Sequence, residues 1–332
     1  MELKIYDPYK KNTTVTKEYI LTIAKGFENA GYSISFIDQL TKQEKNNSVE
    51  VLVVAVKDAI KAKKMKYKKI YCWVQGIVPE ESYMRHRSKL RFYILSHIEK
   101  EGLKSSDFIF YVSDAMKKFF LNKYNYNNNK YYIMPCFNTK IEKSSFFEDD
   151  KYKKNLFLYA GGLDPWQCFE KTAALYKKIE DVVPDSEIRV LTKQKEDAEN
   201  ILKKYDIKRY SIDFKDLKEM KLEMSKAKFG FSLREKHPVN YVSTPTKLST
   251  YTSYGVIPIY SKNVDDFANI VKEGHFVIRS DEDNEYGFDK IIKLCNEDIK
   301  AEEVYSEFQT LFGKYYNKEY HIKQIADVIL RK

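Results

Sequence analysis

The sequence is poor in cysteine and glycine, and it lacks any long apolar run. Its four cysteines, Cys72, Cys136, Cys168 and Cys295, are widely separated. Because no CxxC pair is present, neither a zinc site nor a disulfide framework is indicated, and reduced cytosolic thiols are the expectation. No run approaches the roughly 20 apolar residues that a membrane span needs, and no signal peptide is evident. We therefore expect a cytoplasmic protein, attached at most peripherally to the inner face of a membrane.

Basic residues outnumber acidic ones along the chain. The 332 residues include 58 Lys and Arg against 48 Asp and Glu, which gives a formal net charge of +10. This balance favours an anionic partner, such as a nucleotide, a phospholipid headgroup or a nucleic acid. The hydrophobic content of 43% is sufficient for complete cores, and the length suits two α/β domains better than one.

Short apolar runs of strand length alternate with segments of helical period over the whole chain. This pattern predicts an α/β fold with two Rossmann-like domains, each built on a parallel sheet with helices on both faces. We place the first domain at residues 1–140 and the second at residues 155–305, joined by a polar linker at 138–154. Residues 306–332 are predicted to form a C-terminal amphipathic helix, and the helical pattern has a break near residues 312–313.

The most informative stretch, residues 229–260, places polar residues between two predicted strands. A loop containing Arg234 follows the first strand. Thr244-Pro245 can then begin a helix, because threonine caps free amides and proline fits the first turn; Lys247 lies on that helix. Ligands bind at the carboxyl ends of strands in open α/β sheets, and a helix N-terminus with Lys and Arg nearby suits a diphosphate. The competing interpretation is an ordinary connection with solvated charges.

Four segments resemble GT-B glycosyltransferases of the family-4 type. The run YAGGL…WQ at 159–167 is similar to the opening of their nucleotide-sugar domain. The run SLR…N…TPTK…Y…GVIPI at 232–259 resembles the donor motif of family-4-like bacterial enzymes. VQGIVPEE at 74–81 and YVS at 111–113 resemble acceptor-domain segments of members that assemble polysaccharides.

The resemblance implies a hexosyltransferase-type glycosyltransferase (EC 2.4), with two Rossmann-like domains facing each other across a cleft and a C-terminal helix that crosses back to the first domain. It implies transfer of a sugar from a nucleotide diphosphate, with UDP the commonest carrier, to a glycan or lipid-linked glycan in bacterial surface polysaccharide or glycoconjugate synthesis. Such relatives retain the anomeric configuration. Positive side chains and helix dipoles, rather than a metal, stabilise the departing diphosphate, so neither a metal nor a cofactor beyond the donor is expected.

The candidate site residues follow from these motifs. Arg234 and Lys247 are the candidates for stabilising the diphosphate, and the remaining catalytic candidates are Glu235 and Gln75. The donor-binding candidates are Gly161, Gly162, Lys193, Asn240, Thr246 and Thr250. The acceptor-side candidates are Asn12, Thr13, Gly76 and Glu80.

Several of these positions depart from the family pattern. Many relatives carry two glutamates near the donor loop; Thr250 stands where one binds ribose, and it can supply a single hydrogen bond at most. By simple spacing, the position of the other family glutamate falls near Val242, and Glu235 is the nearest acidic residue. Gln75 stands about where relatives hold a histidine, and it cannot act as a base at neutral pH. Residues 11–14 replace a glycine-rich loop and are less permissive of close backbone approach.

Other interpretations stay open. A nucleic-acid-binding protein would use the positive charge and the 27 tyrosines, but it predicts basic and aromatic residues on one exposed sheet face. The strands here are apolar on both faces, so nucleic acid is not the expected partner. A GT-B-shaped sugar-nucleotide epimerase would need acid–base groups, of which the sequence offers few. Glu80 and Glu81 can simply begin a helix, where acids suit the dipole.

Basic residues concentrate in two segments, 61–69 and 82–100, and the second is predicted to form a single helix. Such runs are usually solvated surface. They also predict docking on an anionic membrane leaflet, where a lipid-linked acceptor would lie and where each cation contributes on the order of 1 kcal/mol.

Overall fold

The structure is a computed structural model that describes residues 1–9, 17–44, 48–137, 140–271, 274–281 and 285–331. The acceptor-side candidates Asn12 and Thr13 lie outside the described residues. The chain divides into two compact units. Unit 1 comprises Met1–Asn138, Tyr241–Thr246 and Tyr316–Lys332, and unit 2 comprises Thr139–Asn240 and Lys247–Tyr315.

Strands and helices alternate through the first part of the chain. They are β1 (Glu2–Tyr6), α1 (Lys17–Asn29), β2 (Ser33–Ile37), β3 (Glu50–Val53), α2 (Val56–Lys64), β4 (Lys69–Val74), α3 (Val78–His86), α4 (Lys89–Lys104), β5 (Phe108–Tyr111), α5 (Asp114–Tyr124) and β6 (Tyr131–Ile133). The strands form one parallel sheet in the order β2-β1-β3-β4-β5-β6.

The same alternation continues in the second part. The elements are β7 (Leu156–Ala160), α6 (Phe169–Val182), β8 (Glu187–Leu191), α7 (Lys195–Lys204), β9 (Tyr210–Asp213), α8 (Leu217–Lys226), β10 (Phe229–Ser232), α9 (Pro238–Tyr241), α10 (Thr246–Ser253), β11 (Ile257–Tyr260), α11 (Asp265–Val271), β12 (Ile278–Arg279), α12 (Glu285–Asn296), α13 (Ala301–Lys314) and α14 (Lys318–Leu330). Their strands form a second parallel sheet in the order β12-β11-β10-β7-β8-β9. The predicted α/β class, with a parallel sheet in each half, is confirmed.

Apolar spacing positions the helices as predicted. In α1, for example, Tyr19, Ile20, Ile23 and Phe27 share one face, and all four are buried. Tyr19 stacks on Trp73 of β4 with 4.3 Å between ring centroids. Aromatic burial of this kind is the main stabilising term of such a core. None of the helices in the described ranges is long and apolar enough to cross a membrane.

The predicted single helix at residues 82–100 is wrong, because the chain forms two helices there. Arg87 ends α3 in the left-handed conformation, with φ 51°. Ser88 then caps α4, its Oγ accepting a hydrogen bond of 3.3 Å from the amide of Arg91. A serine cap satisfies a free amide of the first turn, so the segment turns and begins a second helix.

The C-terminal helix α14 belongs to unit 1 and packs on α1. The two helices approach closely at Gly26, where an added β-carbon would lie 2.5 Å from Cγ2 of Ile325. Lys318 at the start of α14 forms an ion pair of 2.7 Å with Glu18. The helical break predicted near residues 312–313 lies at residues 315–317, where the Asn317 side chain accepts from the amide of Tyr320 at 2.9 Å.

A buried lysine in the polar stretch after unit 1 fixes two helix ends of unit 2. Lys151 is 2% exposed. Its ammonium donates to the carbonyl oxygens of Met224 at 3.1 Å, Ser225 at 2.9 Å and Tyr254 at 2.7 Å. These carbonyls lie at the ends of α8 and α10, where a cation also complements the helix dipole. A stretch without periodicity therefore contains a structural anchor.

We predict that Lys151→Met lowers the free energy of unfolding by about 2–4 kcal/mol, because buried carbonyls lose their hydrogen-bond donor. Lys154→Met is the matched control. The Lys154 side chain is 75% exposed, and its ammonium lies 4.0 Å from the carboxylate of the exposed Asp150. Chemical denaturation of both variants checks this. Equal stability of the two would show that Lys151 is not an anchor.

Candidate functional site

Two adjacent strands bring the donor motifs together in unit 2. β7 and β10 are neighbours at the centre of the sheet, with Phe229 paired to Phe157. Because the strands are parallel, their following loops leave from the same edge, where ligands bind in open α/β sheets. The loop after β7 carries the YAGGL…WQ motif, and the loop after β10 carries Arg234.

One amide side chain joins the two predicted cations. The Arg234 guanidinium donates to the Gln167 side-chain oxygen at 2.8 Å, and also to the carbonyl oxygens of Gln167 at 3.1 Å and Leu233 at 3.0 Å. Lys247 donates to the same Gln167 side-chain oxygen at 3.3 Å. Its ammonium also lies 3.9 Å above the ring of Tyr159, a favourable cation–π geometry. The structure thus brings Arg234 and Lys247 together.

Arg234 is buried and Lys247 is half-buried, and neither has a carboxylate partner among the described residues. Arg234 is 5% exposed, and burial lowers the pKa of its guanidinium. Burial, together with the charge of Arg234, lowers the pKa of Lys247 well below its usual value. In the described part of the chain, no carboxylate forms an ion pair with either residue. Buried charges are normally paired, so the arrangement is suited to receive an anion.

Glycine is required at the first position of the Gly161-Gly162 pair. Gly161 has φ +143°, and an added β-carbon would lie 3.4 Å from Cε and Nζ of Lys247. The backbone at Gly161 therefore lies beside the lysine, and its amide donates to the Leu191 carbonyl at 2.9 Å. At Gly162 the same added atom would meet Asp164 and Gln194 only at ordinary contact distances of 3.5 and 3.6 Å. The predicted close backbone approach is geometrically possible at Gly161.

A network of hydrogen bonds holds the loop that carries Arg234. The Arg234 amide donates to Ser261 Oγ at 2.9 Å, and Asn263 donates to the Arg234 carbonyl at 2.9 Å. Asn240, which is 1% exposed, donates from its side chain to the Glu235 carbonyl at 3.2 Å. These contacts make Asn240 a support of the loop. Glu235 is half-buried.

Helix α10 carries the other donor-side candidates. Thr246 is its first residue, and Thr250 lies one turn further; both are half-buried. The helix begins one residue after Pro245, and the Thr244 hydroxyl accepts instead from the amide of Cys136 at 3.0 Å within unit 1. Lys193 lies in the loop between β8 and α7. It is exposed, and its ammonium lies 5.1 Å from the ring centroid of Phe214.

Tyr251 of α10 sets the position of this helix on the sheet. Its ring occupies space above Gly230, where an added β-carbon would lie 2.7 Å from Cδ2 of the ring. Its hydroxyl accepts from the amide of Ala160 at 3.1 Å and donates to the carbonyl of Phe231 at 3.3 Å. The tyrosine therefore links α10 to the ends of both β7 and β10.

Unit 1 contains its own cavity, of about 620 Å³. It lies at the carboxyl ends of β3 and β4, and the candidates Gln75 and Gly76 line it. Gln75 donates to the carbonyl of Val54 at 2.7 Å. The Glu81 carboxylate lies against Gly76, since an added β-carbon there would be 2.1 Å from Glu81 Oε1.

Of the two adjacent glutamates, it is Glu81 that lines the cavity. Glu80 forms an ion pair of 2.7 Å with Lys123, which also contacts Glu99 at 3.3 Å. This placement favours the structural interpretation of Glu80. Glu81 and Gln167 are the residues that the candidate set lacked, although both belong to the motifs that resemble the family.

The described residues contain no cluster of three His, Cys, Asp or Glu side chains with metal-site geometry. One acidic triplet, residues 281–283, follows β12. Of its members the structure describes Asp281, which forms an ion pair of 3.1 Å with Arg279 and accepts from the amide of Lys262 at 2.9 Å.

No protein-family model and no curated protein matches the chain, but solved structures do. The chain is similar to sucrose-phosphate synthase of Thermosynechococcus elongatus, with a TM-score of 0.74 and 11% identity over 100% of this chain and 98% of that one. It is similar to an alpha-glucosyltransferase in complex with UDP and a 13-mer DNA containing a HMU base, with a TM-score of 0.67 and 15% identity over 100% of both chains.

A third similar structure is TarM of S. aureus, in complex with fondaparinux, alpha-GlcNAc-glycerol and UDP. The TM-score is 0.65 at 11% identity, over 84% of this chain. The chain spans only 55% of the length of TarM. At these identities the likeness concerns the fold alone, and it confirms the predicted GT-B fold.

Proposed function

We propose that the chain is a glycosyltransferase of EC class 2.4 that moves a sugar from a nucleotide diphosphate to a glycan or lipid-linked glycan. The observation that carries this proposal is the pair Arg234 and Lys247, two cations within reach of one glutamine oxygen, with no carboxylate partner in the described chain. They lie at the sheet edge where a GT-B enzyme would need to hold a leaving diphosphate. UDP is the favoured carrier, since two of the similar structures contain it.

The proposed chemistry is electrostatic. As the bond between sugar and phosphate breaks, negative charge grows on the departing diphosphate, and fixed cations in a poorly hydrated site stabilise that charge. Arg234 offers a planar fork of donors that matches phosphate oxygens, and Lys247 acts as a point charge. Gly161, which carries no side chain, lies beside Lys247. We propose a retaining, front-face reaction without a metal, in which the leaving phosphate accepts the proton of the acceptor hydroxyl.

The remaining donor-side residues have less direct roles in this proposal. Gln167 orients both cations, and Asn240 supports the loop of Arg234. Thr246 and Thr250 are proposed contacts of the nucleotide, and Glu235 of the transferred sugar. Lys193 is proposed to act as a cation at the edge of the donor site. As the process we propose bacterial surface polysaccharide or glycoconjugate synthesis on the cytoplasmic side of the membrane.

We predict that Arg234→Ala and Lys247→Ala each weaken UDP binding roughly 10- to 100-fold, as expected when a charge-assisted hydrogen bond to phosphate is lost. Isothermal titration of UDP measures this, and thermal unfolding verifies that the variants fold. Lys204→Ala is the control, because Lys204 is exposed and pairs with Glu170 elsewhere on unit 2. Unchanged UDP affinity in both site variants would refute the assignment.

Nucleotide binding should also take up protons. Lys247 has a depressed pKa in the free site, and an anionic diphosphate favours its charged form, so the pKa rises on binding. Between the two pKa values the complex holds more protons than the free protein, and affinity falls as pH increases. Titrations at several pH values below the ordinary lysine pKa of about 10.4, in buffers of different ionisation enthalpy, measure the uptake. Lys247→Arg, whose guanidinium stays charged, should abolish it; undiminished uptake in that variant would assign the proton elsewhere.

The second partner that we propose is an anionic membrane surface that contacts α4. Leu90, Tyr93 and Ile94 are 72, 68 and 53% exposed. Their spacing places them on one face of the helix, so this face is apolar toward solvent. Exposed cations lie on α4 and just before it in the sequence: Arg85, Arg87, Lys89, Arg91 and Lys104. Apolar insertion flanked by positive charge is the pattern of a peripheral membrane helix.

We predict that the protein sediments with vesicles of phosphatidylcholine and phosphatidylglycerol at low salt, and that Leu90→Ser with Ile94→Ser reduces this binding at least about tenfold, because each buried leucine-sized side chain contributes roughly 1.5–3 kcal/mol. Leu222→Ser is the control, because Leu222 is 54% exposed on α8. Absence of vesicle binding would refute the docking. If the protein instead binds a DNA duplex, and the apolar variants do not weaken that binding, the basic surface is a nucleic-acid-binding surface.

A further inference from the structure

The cavity of unit 1 differs from the donor site in its chemistry. Helices α3 and α4 form one side of it and the ends of β3 and β4 the other. Its volume of about 620 Å³ lies within the range of small-molecule sites, roughly 300–1,000 Å³. Its polar lining residues include Gln75, Glu81, Ser82, Arg85, Arg91 and Glu99.

A buried carboxyl group lines this cavity. Glu99 is 1% exposed. One of its oxygens, Oε2, accepts from Tyr124 at 2.7 Å and from Lys123 at 3.3 Å. The other, Oε1, is buried without a hydrogen-bond partner among the described residues. Buried polar atoms are nearly always satisfied, so an orphan of this kind calls for a ligand or water.

A hydroxyl group fits the Glu99 oxygen in either protonation state. Burial raises the pKa of Glu99 to about 7, although Lys123 and Tyr124 oppose that shift. A hydroxyl can both donate and accept, so it pairs with a carboxylate as well as with a carboxylic acid. Sugars present such hydroxyls in number, whereas apolar ligands present none.

The rim of the cavity is positive. Arg85, His86 and Arg91 line it and are exposed. The Nε of Arg91 donates to Ser82 Oγ at 2.7 Å, which orients the guanidinium at the cavity. Guanidinium groups favour carboxylate and phosphate oxygens, so a ligand with its hydroxyls at Glu99 would gain from a negative group at this rim.

We propose that this cavity binds the acceptor sugar and that this sugar carries a negative substituent, a carboxylate or a phosphate. Glu99 contacts a sugar hydroxyl, and Glu81 and Gln75 contact others. Arg85 and Arg91 hold the negative substituent. The inference rests on the proposed glycosyltransferase function and assigns the acceptor class that this function leaves open.

The full-length protein is titrated with glucuronate, glucose 6-phosphate and glucose, and saturation-transfer NMR reports binding. The expected result is binding of at least one charged sugar, about tenfold or more tighter than glucose, since charge-assisted contacts exceed neutral ones. The tighter of the two charged sugars identifies the substituent. No binding of either at roughly 20 mM, or equal binding of glucose, would overturn the proposal.

Two variants assign the contacts. Arg85→Gln should weaken the charged sugar about tenfold and leave glucose unchanged, because it removes only the cation. Glu99→Gln should weaken both sugars, and thermal unfolding checks that it folds. Lys104→Gln, an exposed cation of α4 that pairs with Glu101, is the control. Wild-type affinity in Arg85→Gln would overturn the assignment, whatever the behaviour of Glu99→Gln.

UDP titration of the same samples separates this inference from the proposed function. Sugar binding without UDP binding would leave the cavity assignment intact and remove the glycosyltransferase. If UDP binds but the cavity variants do not change sugar binding, the glycosyltransferase proposal stands and the cavity assignment is overturned.

Discussion

The candidate donor site depends on holding two positive charges close together with little water. Arg234 and Lys247 repel each other, and both lose hydration, Arg234 because it is buried and Lys247 because it is half-buried. One side-chain oxygen of Gln167 contacts both, and the Tyr159 ring and two carbonyl groups supply the rest of the stabilisation. Neutral dipoles reduce this cost without cancelling the charge, so the site keeps its net attraction for an anion. A carboxylate in the place of Gln167 would satisfy the cations and remove that attraction.

The charged clusters of the two units are unbalanced in opposite directions. In unit 2, two cations share a neutral amide. In unit 1, two acids, the buried Glu99 and the half-buried Glu80, share the cation Lys123. A cluster short of negative charge suits a diphosphate, and a carboxyl oxygen without a donor suits a hydroxyl. The same physical rule, that buried polar groups require partners, therefore points to different ligand chemistry in each unit.

Much of the fold could be predicted from the sequence, because strand runs and helical periods are local properties. The elements around β7, β10 and α10 belong to this class, as does the pairing of Arg234 with Lys247 at one sheet edge. Partners across long sequence separations could not be predicted. Whether Glu80 or Glu81 faces the cavity depends on the rotation of α3 relative to α5, and periodicity does not determine it. Gln167 likewise gains its role only when the loop after β7 meets Arg234.

The position of Lys247 depends on residues outside the set of donor-site candidates. Its helix, α10, is fixed near its N-terminus by the bond of Lys247 to Gln167, in its middle by the Tyr251 hydroxyl, and at its C-terminal end by Lys151. The middle contact requires Gly230, since any side chain there would displace the Tyr251 ring. A glycine inside a strand and a lysine in a stretch without periodicity are weak signals in the sequence. In the folded chain they fix the helix that presents a catalytic candidate, because a short helix of eight residues has little stability of its own.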